Sequence, residues 1–169
     1  MQIWRRTGMV VAAVAFAAAA PAQSARGRAE ATVGGVAVSI DYGRPNLKGR
    51  DMMGKAPDGF VWRLGANQAT VIESTGELVF GETAVPKGSY SLFARRVDRQ
   101  GWELIFNEQT GQWGTQHDAS KDLYTVPLQW RQQDESTEQF TIQLGTEGDV
   151  GALTMTWGSH VLTTEFQTR

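Results

Sequence analysis

Short runs of alternating apolar and polar residues, each cut off by a turn signal, constrain this chain more than any other feature. Val36, Val38, Ile40 and Tyr42 alternate with Ala37, Ser39 and Asp41, the period-two signature of a half-buried strand. Gly43 and Pro45 end that run. The pattern returns in residues 89–95, with Tyr90, Leu92 and Ala94 on one side, and in 102–107, where Trp102, Leu104 and Phe106 share a face. Residues 69–73 and 77–80 flank Ser74-Thr75-Gly76, a hairpin signal. Residues 123–130, 140–144, 153–157 and 161–166 complete the set, separated by Gly145-Thr146-Glu147-Gly148 and Gly158-Ser159. Pro127 inside one of them predicts a sheet edge or a bulge. That makes about nine short strands and no amphipathic helix of three turns. The prediction is an all-β fold: a single antiparallel β-sandwich over residues 36–169, with a partly closed β-barrel as the alternative. Residues 23–35 read as a flexible lead-in, and residues 46–58 as a loop with one helical turn near 51–54.

The N-terminus reads as a leader. Arg5 and Arg6 precede an apolar run over residues 9–20, too short to span a bilayer comfortably, and Ala20-Pro21-Ala22 has the small residues a signal peptidase reads. Residues 1–22 are therefore expected to be a signal peptide cleaved after Ala22, leaving no membrane span. Gly8 stands where twin-arginine export would want a large apolar residue, so general secretion fits better. The expected location is periplasmic or secreted. With no cysteine, there is no lipid-anchoring residue, disulfide framework or thiolate metal site. Without Arg5 and Arg6 the balance is 14 basic against 18 acidic residues, a formal charge of −4, which argues against nucleic acid as a partner. The charge is uneven, with Arg44, Lys48, Arg50, Lys55 and Arg63 gathered between residues 41 and 63.

Several ordered segments resemble a known family. Tyr42-Gly43-Arg44-Pro45, Lys48-Gly49-Arg50, Val61-Trp62-Arg63, Gly65-Ala66-Asn67 and Ala69-Thr70 are among them. Gly88-Ser89-Tyr90-Ser91-Leu92-Phe93, Trp102 with Ile105-Phe106-Asn107, and Trp113-Gly114 continue the series. Together they resemble the bacterial family catalogued as domain of unknown function 2911. The resemblance covers nearly all of the chain after the leader. It implies an exported, all-β bacterial protein and brings no activity or catalytic residues with it. Where the family pattern usually has a glutamate after the Gly-Ala-Asn triplet, this chain has Gln68. No acid, base or metal carboxylate is expected there.

Chemistry concentrates in three places. Arg44, Lys48, Arg50 and Arg63 form a candidate anion site, because guanidinium forks suit carboxylate, sulfate or phosphate and adjacent glycines let backbone N–H groups approach. Asn67 would add a neutral donor and acceptor. The structural alternative pairs Arg63 with Asp41, Asp51 or Asp58, or stacks it on Trp62, to pin the loop. Trp62 and Trp113 are candidate platforms for a sugar ring or apolar ligand, with core packing as the competing role. His117, Asp118 and Asp122 form a weak metal or acid–base candidate, since a divalent site usually needs three or four converging ligands. No cofactor is expected. Familiar catalytic signatures such as G-x-S-x-G and H-E-x-x-H are absent. The leading expectation is a non-catalytic binder of a small anionic or carbohydrate-like ligand, or of a partner protein. The alternatives are a hydrolase using His117 or a carboxylate as general base, and a structural envelope protein.

Overall fold

The computed structural model describes residues 24–99 and 101–169; the leader read in residues 1–22 lies outside them. Ten strands and one short 3-10 turn follow in order: β1 (Arg26–Val33), β2 (Val36–Gly43), β3 (Val61–Trp62), β4 (Thr70–Ser74), β5 (Leu78–Phe80), β6 (Thr83–Val85), β7 (Gly88–Arg96), β8 (Trp102–Asn107), η1 (Ala119–Lys121), β9 (Asp122–Glu147) and β10 (Val150–Thr168). All pairings are antiparallel and run in the order β1-β2-β4-β7-β8-β9-β10-β5-β6, with β3 also beside β7. The two ends of this path do not pair, so the sheet is open and folds over itself as a sandwich. The hinge is β9. Its first residues, through Leu128, pair with β8, and from Gln129 onward it pairs with β10. Pro127 sits in that hand-over, opposite Glu103 and before the first β10 partner. A strand edge of this kind tolerates a residue without an N–H.

Several segments differ from their reading in the sequence. The lead-in is an ordered strand: β1 pairs with β2 from Arg26↔Gly43 to Val33↔Val36, joined through Gly34 and Gly35. Both glycines have positive φ, 53° and 83°, as a tight two-residue hairpin turn of the favoured hand requires. Residues 69–73 and 77–80 do not form a hairpin. Strand β4 has β2 on one side and β7 on the other, so β5 crosses to the second layer and pairs with β10. Nor does Gly158 end a strand. It is a kink, at φ 61°, within the continuous β10, where the register to β9 shifts.

The core lies between the layers, where Ile40, Leu92, Leu104, Phe106, Phe140 and Leu153 are fully buried. Aromatic rings bridge the two sides: Phe80 lies 5.4 Å from Phe106, and Trp62 stacks on Trp157 at 5.6 Å with planes 5° apart. Strands β7 and β8 are unusual in burying both faces. Phe93 and Ile105, paired with each other, point away from the main core yet are as deeply buried. The connection between β8 and β9 covers them. It is tied down by Ser91 Oγ donating to Gln109 O (2.6 Å) and Gln112 Nε2 donating to Ser91 Oγ (3.1 Å).

Two excursions break the regular ladders. Along one edge of β7, Trp62 pairs with Ala94 and Thr70 with Leu92, so residues 63–69 bulge out opposite Phe93 alone. On β9, residues 132–141 span the same stretch of β10 as residues 160–156, leaving slack on the β9 side. That slack swings out to meet the long loop before β3: Phe140 N donates to Pro45 O (3.0 Å) and Leu47 N to Glu138 O (2.7 Å). The first excursion is seated on Gly43, where a Cβ would press into the Ala66 carbonyl and lie 2.8 Å from its nitrogen. Gly43→Ala is expected to lower stability in urea unfolding by about 1–3 kcal/mol, the usual range for overpacking. Gly145→Ala, which meets nothing within 4 Å, should change it by less than about 0.5 kcal/mol.

Candidate functional site

The excursion opposite Phe93 carries backbone strain. Leu64 and Asn67 hold positive φ, 48° and 64°, and Gly65 lies at 152°. A bulky residue such as leucine in the left-handed region is uncommon and costs about 1–2 kcal/mol. Dense anchoring holds it. Thr70 Oγ1 donates to Leu64 O at 2.6 Å, Ala69 N to Gln112 O at 2.9 Å, and Gly114 N to Asn67 O at 2.8 Å. Gln68 and Trp113 form an isolated bridge. The excursion and the β8–β9 connection are therefore one unit, laced together over the outer face of β7.

Beside this unit opens a cleft of about 350 Å³, with Met52, Phe60, Val61, Trp62 and Arg63 on one side, Gly114, Thr115 and His117 on the other, and Phe93 also lining it. Arg63 is half-buried, its Nε donating to Gly65 O (3.2 Å) and its stem lying on Gly114. Among the described residues no carboxylate comes within 4 Å of its guanidinium; Asp41 pairs with Arg26, and Asp51 with His160. The loop-pinning ion pair expected for Arg63 does not form. Facing the same cleft, His117 Nε2 lies 2.8 and 3.1 Å from the two oxygens of Asp122. Asp122 also accepts from Asn107 Nδ2 at 2.7 Å, and Asn107, fully buried, is held by Gln109 N donating to its Oδ1 (3.0 Å). The Phe93 ring lies 4.4 Å from the imidazole centroid, tilted by 46°.

The other candidates disperse. Arg44 clamps β9, with Nε donating to Phe140 O (3.3 Å) and Nη2 to Thr141 Oγ1 (3.1 Å). Lys48 stands exposed at φ 52°, its backbone N–H donating to Glu138 Oε1. Arg50 folds back on its own loop, onto the Leu47 and Asn46 carbonyls, and lies 5.9 Å over Trp157. The four basic side chains do not converge, because Arg44 secures the β9 excursion, Arg50 secures its own loop and Lys48 stands exposed. Trp62 is buried between Phe140 and Trp157, which takes it from the platform role; only its edge reaches the cleft. Asn67 is half-buried beside the cleft wall, holding Gly114 through its carbonyl. Trp113 is exposed, at 47%. Asp118 turns away from His117 and Asp122 to cap η1. Ser120 donates to it through hydroxyl and N–H, which holds its carboxylate below the usual range. Among the described residues no three carboxylate or histidine side chains gather as a metal-binding set. None of their helices is long and apolar enough to cross a membrane. Asn107, Phe93 and Thr115 were not among the candidate site residues; Phe93 and Asn107 stood out in the sequence only as the ends of two segments that carry the family resemblance.

The second histidine lies in another setting. His160, buried at 5% exposure, has Trp130 Nε1 donating to its Nδ1 (3.2 Å) and its Nε2 on Asp51 at 2.8 Å. An indole N–H can only donate, so Nδ1 accepts and Nε2 carries the hydrogen. Trp130 in turn lies 4.4 Å from the buried Arg96 guanidinium, which also lies 5.3 Å from the Trp102 ring. This chain latches the 44–58 loop to β10.

Residues 24–166 match the family described as Protein of unknown function (DUF2911). The chain belongs to that family. No curated protein and no solved structure matches it. The family match spans β1 through nearly all of β10 and so includes both walls of the Arg63–His117 cleft.

The latch should register in acid. Burial pushes the Asp51 pKa up, but the Gly54 N–H and His160 bonds outweigh it and hold the carboxylate below its ordinary 3.8. A depressed carboxyl stabilises the fold fully above its unfolded value and loses that contribution as pH falls through the folded one. The urea midpoint of Asp51→Asn is therefore expected to lie below that of the native chain at about pH 5, and the gap to narrow as pH falls below the ordinary carboxylate range of about 4. A gap independent of pH would contradict the linkage.

Proposed function

We propose that this chain is an exported β-sandwich protein that binds a small anion with an apolar body, in the cleft between Arg63 and His117. The observation that carries this reading is Arg63 itself: a half-buried guanidinium facing the cleft with no carboxylate within 4 Å among the described residues. A cation in that position normally has a partner. A carboxylate or phosphate can meet it as a two-pronged hydrogen-bonding partner. Met52, Phe60, Val61 and Phe93 supply apolar walls, so an anion attached to a ring or short hydrocarbon fits better than a bare ion. A carbohydrate ligand is less well supported, since Trp62 is buried and Trp113 is the one candidate platform left exposed among those named. A purely structural role would have the basic side chains consumed by internal contacts; among the described residues Arg44 and Arg50 each make two such bonds, whereas Arg63 makes one, to Gly65 O.

Isothermal titration with benzoate and phenyl phosphate tests the reading. Arg63→Ala is expected to weaken binding about 10- to 100-fold, matching about 1.5–3 kcal/mol for a hydrogen bond to a charged group. Arg44→Ala, which releases β9 rather than the cleft, should leave affinity unchanged. Equal affinity in the native chain and Arg63→Ala would sink the proposal. Export rests on the leader pattern of residues 1–22. N-terminal sequencing of the protein recovered from its native host is expected to begin at Gln23.

A further inference from the structure

The chain has two histidines, and each is bound to a carboxylate through Nε2. They differ at the other nitrogen. In His160 the Trp130 indole occupies Nδ1. In His117, among the described residues, no hydrogen bond engages Nδ1. With Asp122 accepting the Nε2 hydrogen, the Nδ1 lone pair is left available, on a ring that lines the cleft with Arg63 and Thr115. The imidazole is also held still. Asn107 orients Asp122, Asp122 orients His117, and Phe93 packs against the ring. An oriented imidazole with one free nitrogen at an anion-binding cleft is the arrangement general-base chemistry needs.

We propose that His117 is a catalytic general base and that the cleft hydrolyses carboxylic esters of small anionic molecules; this rests on the anion-binding reading above. Arg63 pairs with the substrate's permanent negative group and places the ester carbonyl near His117. His117 Nδ1 takes a proton from water as the water oxygen bonds to the carbonyl carbon and the carbonyl π electrons move onto oxygen. On collapse the bond to the leaving oxygen breaks, and Nδ1–H returns the proton to that oxygen. Water is the only co-reactant, and a carboxylic acid and an alcohol or phenol are the products. Asp122 is a positioning residue: it accepts the Nε2 hydrogen, fixes the tautomer and steadies the imidazolium, as the carboxylate does in hydrolytic triads.

The test uses 4-acetoxybenzoate as substrate and benzoate as the binding probe, with His117→Asn and Asp122→Asn. The native protein is expected to release 4-hydroxybenzoate above the buffer rate. His117→Asn should lower kcat at least about 100-fold, the low end of what a positioned base contributes, while still binding benzoate. Asp122→Asn should lower kcat about 10-fold or more with KM unchanged. Nitrogen NMR of the native chain needs no variant and should place the hydrogen of neutral His117 on Nε2, an assignment that Asp122→Asn should scramble. Benzoate binding without hydrolysis would overturn the catalytic role and leave the binding reading standing. Hydrolysis unchanged in His117→Asn, or a native His117 hydrogen on Nδ1, would also overturn it. Neither binding nor hydrolysis would overturn both.

Discussion

The contact on which this molecule most depends is the stack of Trp62 on Trp157, with Phe140 against both rings at 5.0 and 6.2 Å. Trp62 belongs to the short β3 at the edge of the first layer, Trp157 to β10 in the second, and Phe140 to the slack portion of β9. Tyr42 reaches the same group edge-on at 5.7 Å from Phe140, and Arg50 lies over Trp157. A two-residue strand cannot hold its own place through backbone pairing, so side-chain burial must fix it. Rings of this size bury large areas and add a geometric preference of about 0.5–1.5 kcal/mol per pair. The strained Leu64–Asn67 turn and Arg63 follow directly on that anchor, and the bonds to Thr70, Gln112 and Gly114 complete their hold.

The two carboxylate–histidine pairs show one device used in two ways. At His160 both nitrogens are engaged, the ring is buried, and the pair binds a loop to a strand. At His117 one nitrogen is engaged and the ring borders a cleft. Met52 lines this cleft and also the smaller one beside Asp51 and His160. The latched loop therefore forms part of the wall of the candidate site, and the rigidity of the first pair helps to shape the second.

Much of the fold was legible because its strands follow the simplest rule. In β2 and β8 every second residue is large and apolar, β7 keeps the same period through Tyr90, Leu92 and Ala94, and the layers follow from it. Strand β1 escaped because its inward positions are as small as Ala29 and Ala31, so its alternation is faint. The middle of β9 escaped because residues 132–138 are polar; they are strand because β10 and the loop at 45–47 supply hydrogen bonds, not because they bury side chains. At the site, residue types were readable and partnerships were not. The basic cluster of residues 44–63 is contiguous in sequence, but Arg44 and Arg50 turn to carbonyls of their own surroundings and leave Arg63 apart. His117 and Asp122 were close enough in sequence to suggest a pair. Nothing local showed that Asn107 would orient Asp122, or that Arg63 would arrive from a loop more than fifty residues away.

The excursion opposite Phe93 leaves β7 at Ala94 and rejoins it at Leu92. Between those two points the sheet imposes no length. The registers of β3 and β4 are set outside the excursion: Trp62 is held by its buried aromatic stack, and β4 by pairing with β2 and β7. What fixes the excursion's path is its seat on Gly43 and its bonds to Gln112 and Gly114, so a change of length there would be felt first by the β8–β9 connection and only then by the sheet.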